Sequence, residues 1–473
     1  MMINIIYNKT ANNIIGINNV LPVFIKDDLK RFREITTNHD NNVLVMGYNT
    51  WLSLDKKPLK GRTNIIISKN NYSDIELSEN ILKFKSFEEC IDFLKNEDYN
   101  DVFLIGGGKL YDYVFSNYEE SINCIFETIT HININDKDSD SIVYLENSIS
   151  ESFEKIKHES NVGDVRLYNK EVVFVDYDYN TYQNKNYINR DEIQYIDLLT
   201  NIINNGTNRD SRNSEVISSF GEKMKFDLRN GFPLLTTKKM GWKTILRELL
   251  WFIKGSTDNK ELNDKGVHIW DGNASKDFMK SRGLDYEEYD LGPIYGFQWR
   301  HFGDKYIDKD TTYNGGIDQL KYVIDTIKND PLSRRIILSA WNPPDLDKMA
   351  LPPCHVMVQF YVDVENKYID AQLYQRSGDM FLGVPFNITS YSFLLHIVCK
   401  ITGYKPRFLH HIIGDAHIYR NHIESVDKQL RRVAYKFPTL QIDEIDDIDN
   451  LNESMFNIMD YNSYNPLKAN MIS

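Results

Sequence analysis

The chain has 473 residues, of which 41% are hydrophobic and 26% are charged, and its formal net charge is -13 at pH 7. This length exceeds what one compact core accommodates and indicates two or three domains, while the hydrophobic content excludes a disordered chain. The net charge argues against a general nucleic-acid or membrane-surface binder, because such proteins need a broad positive field. We therefore expect no nucleic-acid partner.

The four cysteines are widely spaced and include no Cys-x-x-Cys pair, which indicates neither a disulfide framework nor a zinc site. The amino terminus lacks a basic segment followed by a long apolar stretch, and no window approaches the roughly 18 apolar residues of a membrane span. These features predict a cytoplasmic protein with no bound metal and no membrane segment.

Short β-rich runs alternate with polar helical stretches in the first third of the chain. Residues 42–47, 63–68 and 102–106 are such runs. This alternation is typical of an α/β domain.

The segment from residue 176 to residue 191 is polar and rich in tyrosine, with neither helical nor strand periodicity. Residues 192–199 then return to helical spacing. We therefore predict a first domain over residues 1–176, a linker over 177–191 and a second domain over 192–473.

The second domain contains long amphipathic stretches together with apolar strands. Residues 242–253 and 391–401 have helical spacing, and residues 356–362 form an apolar run typical of a strand. This mixture predicts an α+β domain.

Two acidic residues, Asp27 and Asp28, precede apolar residues at helical spacing. Acidic residues in a first helical turn meet unpaired backbone N–H groups, so helix capping accounts for either residue taken alone. A different role for Asp28 depends on the motifs that accompany it.

Short motifs follow one another in a fixed order along the first domain. They are Gly16, Leu21-Pro22, Gly47, Thr50-Trp51, residues 58–62, Ile105-Gly106-Gly107-Gly108 and Thr130-His131-Ile132. In this order they resemble dihydrofolate reductase across residues 1–176, and the combination is far more specific than any one motif. The resemblance implies a central, mostly parallel sheet flanked by helices, and NADPH-dependent reduction of dihydrofolate to tetrahydrofolate.

By this resemblance Asp28 is the buried carboxylate that holds the amidine edge of the pteridine and assists protonation at N5. Thr130 would support it from the adjacent strand, and Phe32 would lie against the bound folate. Arg62 would bind the carboxylate of the glutamate tail, its alternative being a solvated turn residue.

The same resemblance implies a nicotinamide cofactor site in which the peptide between Gly106 and Gly107 is cis. Ser68 and Lys69 would receive the 2'-phosphate that distinguishes NADPH from NADH. The predicted cofactor-binding residues are Gly16, Thr50, Ser68, Lys69, Gly106, Gly107, Gly108, Lys109 and Leu110.

The sequence departs from the reductase pattern at three places. Tyr48 follows Gly47 where a basic residue is usual, and Val23 replaces a tryptophan. Tyr7 and Asn8 stand in the first strand where small apolar residues are usual.

Cys354 follows two prolines and precedes an apolar run. A lone cysteine beside a strand is usually a core residue, which is our interpretation of Cys90, Cys124 and Cys399. Cys354 differs because the prolines fix the chain before it and because arginines able to stabilise a thiolate recur in the sequence. These arginines are Arg212, Arg334, Arg335 and Arg376.

Several long motifs of the second domain match thymidylate synthase over residues 192–473. They are residues 231–234, 248–252, 290–296, 333–336 and 381–387. The domain is identified as a member of that family, which implies reductive methylation of dUMP to dTMP with 5,10-methylenetetrahydrofolate as cosubstrate. It also implies a homodimer built through this domain.

In that family's reaction Cys354 would add to C6 of dUMP, with the arginines favouring its thiolate. Glu248 and Tyr295 would serve proton removal at C5. Asn387 offers a donor and an acceptor to the uracil edge, whereas an aspartate there would suit cytosine.

The predicted dUMP-binding residues are Arg212, Arg376, Ser377, Asp379, Asn387, His417 and Tyr419, with Arg334 and Arg335 supplied by a second subunit. For His417 and Tyr419 the alternative is a packed strand end. The predicted folate-binding residues of this domain are Ile269, Trp270, Asp379, Leu382, Gly383 and Phe386.

Three alternatives stay open on the sequence. The second domain could hydroxymethylate a pyrimidine, although Asn387 disfavours cytosine. The first domain could be a catalytically poor scaffold, given its departures from the reductase pattern. A binding role toward RNA would need a local basic patch on a chain of charge -13.

Overall fold

The computed structural model describes residues 2–70, 77–135, 141–210 and 214–469. The chain divides into two compact units, Met1–Ile188 (unit 1) and Asn189–Ser473 (unit 2). Each unit has its own hydrophobic core.

Unit 1 is an α/β unit. Its strands are β1 Ile3–Thr10, β2 Ile14–Ile17, β3 Val23–Phe24, β4 Val43–Gly47, β5 Thr63–Ile67, β6 Ile81–Phe84, β7 Val102–Leu104, β8 Ile122–Thr130, β9 Ile142–Tyr144, β10 Phe153–Leu167 and β11 Val172–Asn184. Its helices are α1 Lys26–Thr36, α2 Tyr48–Ser53, α3 Phe87–Leu94 and α4 Gly108–Asn117.

The described strands of unit 1 form a nine-stranded sheet in the order β3-β10-β11-β8-β1-β7-β4-β5-β6, and β2 pairs separately with β9. β1 pairs in parallel with both β7 and β8, and parallel pairing continues from β4 to β6. β10 and β11 are antiparallel additions at the other side. The predicted mostly parallel sheet is confirmed, and it brings the carboxyl ends of β1, β4, β7 and β8 to one edge.

Residues 177–184 are the second half of β11 and not a linker. They pair with β8 from Tyr177 to Gln183. Buried amide nitrogens find partners inside the sheet: Asn180 Nδ2 donates to Glu127 Oε2 at 3.0 Å, and Gln183 Nε2 donates to Asn123 Oδ1 at 3.2 Å. The linker prediction was wrong here because polar pairs replace the apolar alternation by which strands are recognised.

Unit 2 combines helices with a mixed sheet. Its helices are α5 Arg190–Asn205, α6 Trp242–Lys254, α7 Lys260–Asn263, α8 Asp271–Ala274, α9 Lys276–Ser281, α10 Tyr295–His301, α11 Gln319–Asn329, α12 Gly383–Thr402 and α13 Ile423–Leu430. Its strands are β12 Thr207–Asp210, β13 Glu215–Asp227, β14 Ile337–Ser339, β15 His355–Asp363, β16 Tyr368–Asp379, β17 Lys405–Tyr419, β18 Thr439–Ile442 and β19 Phe456–Met459.

Among the described residues of unit 2, six strands form one sheet in the order β12-β13-β17-β16-β15-β14. β16 and β17 run parallel, and the other neighbours are antiparallel. Apolar residues at helical spacing bury one face of α6, which ends at Gly255 with φ of +83°. The predicted α+β fold is confirmed, and it aligns the ends of β16 and β17.

Helix α12 is the one described segment long and apolar enough to cross a membrane by length and composition, although none was expected from the sequence. Most of this helix is buried inside the protein. The helix packs on β16 and β17 as part of the core of unit 2.

The pairing of β11 with β8 generates a prediction about where the first unit can be cut. A fragment ending at residue 176 loses the residues that cover β8, so it should be destabilised by more than about 5 kcal/mol and fail to unfold cooperatively. A fragment ending at Ile188 should show one cooperative urea transition by circular dichroism. Equal stability of the two fragments would contradict the assignment of residues 177–184 to the core sheet.

Candidate active sites

The Asp28 carboxylate lies in the first turn of α1, and the residue is only 9% exposed. Asn8 Nδ2 donates to its Oδ2 at 2.9 Å, and Thr128 Oγ1 donates to its Oδ1 at 2.5 Å. The residue before the helix is Ile25, and no side chain caps the helix. Helix capping therefore does not account for Asp28, whose carboxylate is held by the sheet.

The two donors come from neighbouring strands. Asn8 on β1 stands opposite Thr128 on β8, and Thr128 stands opposite Tyr179 on β11. The threonine that contacts Asp28 is thus Thr128, whereas Thr130 was expected. Thr130 lies two residues further along β8, and its buried Oγ1 has no hydrogen-bond partner among the described residues.

The predicted tail-binding residue Arg62 is buried, at 8% exposure. Its Nη1 donates to Thr36 Oγ1 at 2.7 Å and its Nε donates to the Lys60 carbonyl at 3.1 Å. Burial, followed by the charge of Arg33, lowers the pKa of Arg62. The alternative of a solvated turn residue is therefore wrong. Phe32 is half-buried on the same helix, α1.

The predicted cofactor residues gather at the carboxyl edge of the parallel strands. The Gly106–Gly107 peptide is cis, as predicted, and Gly47 N–H donates to the Gly106 carbonyl at 2.7 Å. A Cβ at Gly106 would come within 3.1 Å of Thr50 Oγ1, so only glycine allows this approach. The backbone segments at Gly47 and Gly106 therefore lie close together at the edge where the cofactor is predicted to bind.

Two helices, α2 and α4, begin at this edge, and their first N–H groups have no partner within the helix. Exposed Lys109 belongs to α4, and exposed Lys69 follows β5. N–H groups at a helix start, together with cations, suit a phosphorylated cofactor. The remaining predicted residues are Ser68, which is buried, and Gly16, Gly108 and Leu110, which lie on β2 and α4.

In unit 2 the Cys354 thiol is half-buried at the start of β15. Its backbone N–H donates to Tyr295 Oη at 2.7 Å. Arg376 Nη2 lies 3.9 Å from Cys354 Sγ and is held there by the carbonyls of Pro352 and Pro353. The two prolines thus position the cysteine and its arginine together.

Burial raises the pKa of the Cys354 thiol, and Arg376 acts in the opposite direction with a smaller effect. The sequence predicted that the arginines favour the thiolate of Cys354. The raised pKa corrects that prediction for the single chain. The physical reason is that, among the described residues, a single guanidinium faces the sulfur. Arg334 and Arg335 are exposed on this chain, and Arg212 lies outside the described residues.

Glu248 on α6 accepts a hydrogen bond from Trp270 Nε1 at 2.8 Å. Burial raises the pKa of Glu248 to about 7, and the hydrogen bond from Trp270 opposes this shift. A carboxyl group that titrates near neutrality can both accept and donate a proton. The environment therefore suits Glu248 to the proton transfer predicted for it.

Tyr295 begins α10 and stacks on His355, with 4.1 Å between ring centroids. His355 Nδ1 lies 2.9 Å from Tyr391 Oη, and burial lowers the pKa of His355 to about 3. His355 is thus a neutral packing partner that fixes the ring of Tyr295 beside Cys354.

The ends of β16 and β17 bring four predicted residues together. Asp379 stands opposite His417, and Ser377 stands opposite Asp415 two residues before. His417 and Tyr419 are only half-buried, so their side chains face accessible space and are not merely packed. Asn387 on α12 has no side-chain hydrogen bond within the described ranges, which leaves its amide for a ligand.

An apolar surface adjoins these polar groups. Asp379 Oδ1 accepts from the backbone N–H groups of Phe381 and Leu382, at 2.9 and 3.2 Å, which fixes the turn before α12. The predicted folate-binding residues in this region are buried or half-buried: Ile269, Trp270, Leu382, Gly383 and Phe386.

Sequence reasoning missed Thr128, His355 and Tyr391, and treated Asn8 only as a departure. Thr128 alternates with Thr130 along β8, so strand periodicity assigns both to one face and could have drawn attention to it. Nothing in the sequence near His355 or Tyr391 indicates their contact, because it joins β15 to α12 across 36 residues.

Comparison with known proteins gives matches in both units. The family profile for dihydrofolate reductase matches residues 2–179, and that for thymidylate synthase matches residues 193–473. The bifunctional dihydrofolate reductase-thymidylate synthase of Zea mays is 42% identical over 97% of this chain and 94% of its own length. That of Paramecium tetraurelia is 40% identical over 98% and 97%, respectively. Human thymidylate synthase is 52% identical over 59% of this chain and 90% of its own length.

The raised pKa of Glu248 generates a stability prediction. The folded value of about 7 lies above the ordinary value of 4.5, so ionising this group opposes folding. The cost is absent below pH 4.5, grows between pH 4.5 and 7, and is complete above pH 7. Glu248→Gln should therefore raise the free energy of unfolding of unit 2 by about 1–3 kcal/mol at pH 8 and by much less at pH 4.5.

Urea unfolding followed by tryptophan fluorescence measures this effect, because five of the six tryptophans belong to unit 2. Glu365→Gln is the matched control, since that carboxylate is exposed between β15 and β16. A stabilisation by Glu248→Gln that does not depend on pH would refute the assigned cause.

Proposed function

The chain belongs to the bifunctional dihydrofolate reductase-thymidylate synthase family, and we propose that the two sites described above carry out its two reactions. It has dihydrofolate reductase and thymidylate synthase activities, and its domains imply use of NADPH and 5,10-methylenetetrahydrofolate. The observation that most supports the assignment of sites is the pairing of Cys354 with Arg376 and Tyr295, at 3.9 and 2.7 Å.

In the reductase unit, Asp28 binds the amidine edge of the pteridine and orients the ring for protonation at N5. Each carboxylate oxygen has lone pairs for both a protein donor and a ligand donor, so the bonds from Asn8 and Thr128 leave room for the substrate. Arg62 binds the glutamate tail through the guanidinium group that its bonds to Thr36 and Lys60 orient.

Bound NADPH supplies the hydride. The first N–H groups of α2 and α4 and the Thr50 hydroxyl hold its phosphates, with charge from Lys109. Ser68 and Lys69 hold the 2'-phosphate.

In the synthase unit, Cys354 Sγ adds to C6 of dUMP, which makes C5 the nucleophile that attacks the methylene group of the folate. Arg376 and Ser377 bind the 5'-phosphate, Asn387 pairs with the uracil edge, and His417 and Tyr419 bind the ribose. Glu248 and Tyr295 then serve removal of the C5 proton. Once the one-carbon group has been reduced to a methyl group, the Cys354 Sγ–C6 bond breaks, which restores the 5,6 double bond and releases dTMP and the free cysteine.

The two reactions are linked by their folate. Tetrahydrofolate gives hydride to the one-carbon group and leaves the synthase site as dihydrofolate, which is the substrate of the reductase unit. We place the enzyme in the cytoplasm, and we assign the reductase to unit 1 and the synthase to unit 2.

The synthase site is shared between two subunits of a homodimer in this proposal. Arg334 and Arg335 are exposed on the chain that carries them, and a dianionic phosphate is best bound by several guanidinium groups. The family match leaves the alternatives of a pyrimidine hydroxymethylase, a scaffold domain and an RNA-binding role without support.

Two single substitutions test whether the reactions separate between the units. Asp28→Asn should lower reductase activity by about 10²- to 10⁴-fold and leave dTMP formation unchanged. Cys354→Ser should abolish dTMP formation and leave dihydrofolate-dependent NADPH oxidation at 340 nm unchanged, because a hydroxyl is a far weaker nucleophile. Loss of both activities in either variant would argue against two independent sites.

Mixing two inactive variants tests the shared site. Cys354→Ser lacks the nucleophile, and Arg334→Ala combined with Arg335→Ala lacks the arginines. Random pairing makes half of the dimers mixed, each with one intact site, so the mixture should recover about a quarter of the synthase activity. Sedimentation checks that the subunits have exchanged. If exchange occurs and synthase activity does not recover, the nucleophile and the two arginines act from the same chain.

A further inference from the structure

Asn8 is a buried amide beside the proposed pterin carboxylate. The residue is 7% exposed, and its Nδ2 donates to Asp28 Oδ2 at 2.9 Å. Because a carboxylate oxygen accepts hydrogen bonds, this contact requires the nitrogen of the amide to face Asp28. The amide oxygen, Oδ1, is left as an acceptor.

No donor among the described residues reaches Asn8 Oδ1, although the atom is buried. An unpaired buried acceptor costs free energy, and such atoms are rare in folded proteins. Its place next to Asp28 indicates that a ligand bound to that carboxylate supplies the missing donor.

The substrate chemistry provides one donor of the required kind. The amidine edge of the pteridine has the N3 hydrogen and two hydrogens on the exocyclic 2-amino group. The two oxygens of Asp28 take the N3 hydrogen and one amino hydrogen, so the second amino hydrogen needs another acceptor.

We infer that Asn8 is a substrate-recognition residue whose Oδ1 accepts the second hydrogen of the 2-amino group. This inference rests on the proposed role of Asp28 and adds Asn8 as a second residue that contacts the 2-amino group of the pteridine. Thr130 Oγ1 is also buried without a described partner, but of these two residues only Asn8 has a described hydrogen bond to the Asp28 carboxylate.

The test compares two probes, folate and 2-desaminofolate, which lacks the amino group. Dissociation constants come from quenching of protein fluorescence in the full chain. Asn8→Ala should weaken folate binding by roughly threefold to tenfold, the size of one neutral hydrogen bond, and change 2-desaminofolate binding by less than about twofold.

Asn4→Ala is the matched control. Asn4 is a buried asparagine on the same strand, but it bonds to Asp101 and Asn123 and has no contact with Asp28. This variant should leave both dissociation constants unchanged. If Asn8→Ala melts early by circular dichroism, Asn8→Leu repeats the comparison with a side chain of similar volume.

The outcomes separate this inference from the proposed function. An equal loss for both probes would mean that Asn8 only positions Asp28, and no loss would mean that water occupies Oδ1; either result overturns the inference. Asp28→Asn is measured alongside. If that variant keeps folate affinity and reductase activity, the proposed role of Asp28 is what fails.

Discussion

An energetic constraint found in both units is the burial of carboxylates whose described hydrogen bonds come from neutral donors, as at Asp28, Glu192 and Glu248. Removing a carboxylate from water is costly unless hydrogen bonds replace its hydration. In unit 2, Glu192 is fully buried and accepts from the backbone and hydroxyl groups of Thr236 and Thr237 at 2.7–2.9 Å. That arrangement fixes the chain leading to α6. Neutral donors thus hold a buried carboxyl group in the framework of unit 2.

The buried carboxylates differ in the number of hydrogen bonds they accept, and this number distinguishes a structural carboxylate from those that we assign to the reactions. Glu192 has a full set of donors, and Asp28 has one on each oxygen. Among the described residues, Glu248 accepts a side-chain hydrogen bond from the indole of Trp270 alone, and burial raises the pKa of Glu248 to about 7. Burial raises the pKa of Glu192 as well, and its hydrogen bonds from Thr236 and Thr237 oppose that shift, whereas only the bond from Trp270 opposes the shift of Glu248 among the described residues.

The sequence predicted both folds, because motif order and hydrophobic spacing are local properties of the chain. It predicted Asp28, Glu248, Tyr295 and Cys354 as chemically important, and in the structure Asp28 and Glu248 accept hydrogen bonds while Tyr295 accepts one from the backbone of Cys354. The predictions from sequence were wrong where contacts between residues distant in the sequence, and not a local hydrophobic pattern, determine the structure. Residues 177–184 are a strand stabilised by buried amides, and Thr128 contacts Asp28 across 100 residues of sequence. Neither feature follows from periodicity or composition.

The state of Cys354 connects nucleophile activation to assembly. Among the described residues of one chain, burial raises the pKa of the thiol, and Arg376 alone opposes that effect. The phosphate of dUMP would add negative charge and by itself disfavour a thiolate. Guanidinium groups from a second subunit, which the proposed dimer places at the same phosphate, would offset that charge. Arg334 and Arg335 then serve the substrate directly and the nucleophile indirectly, so a chain without its partner keeps the cysteine largely as an unreactive thiol.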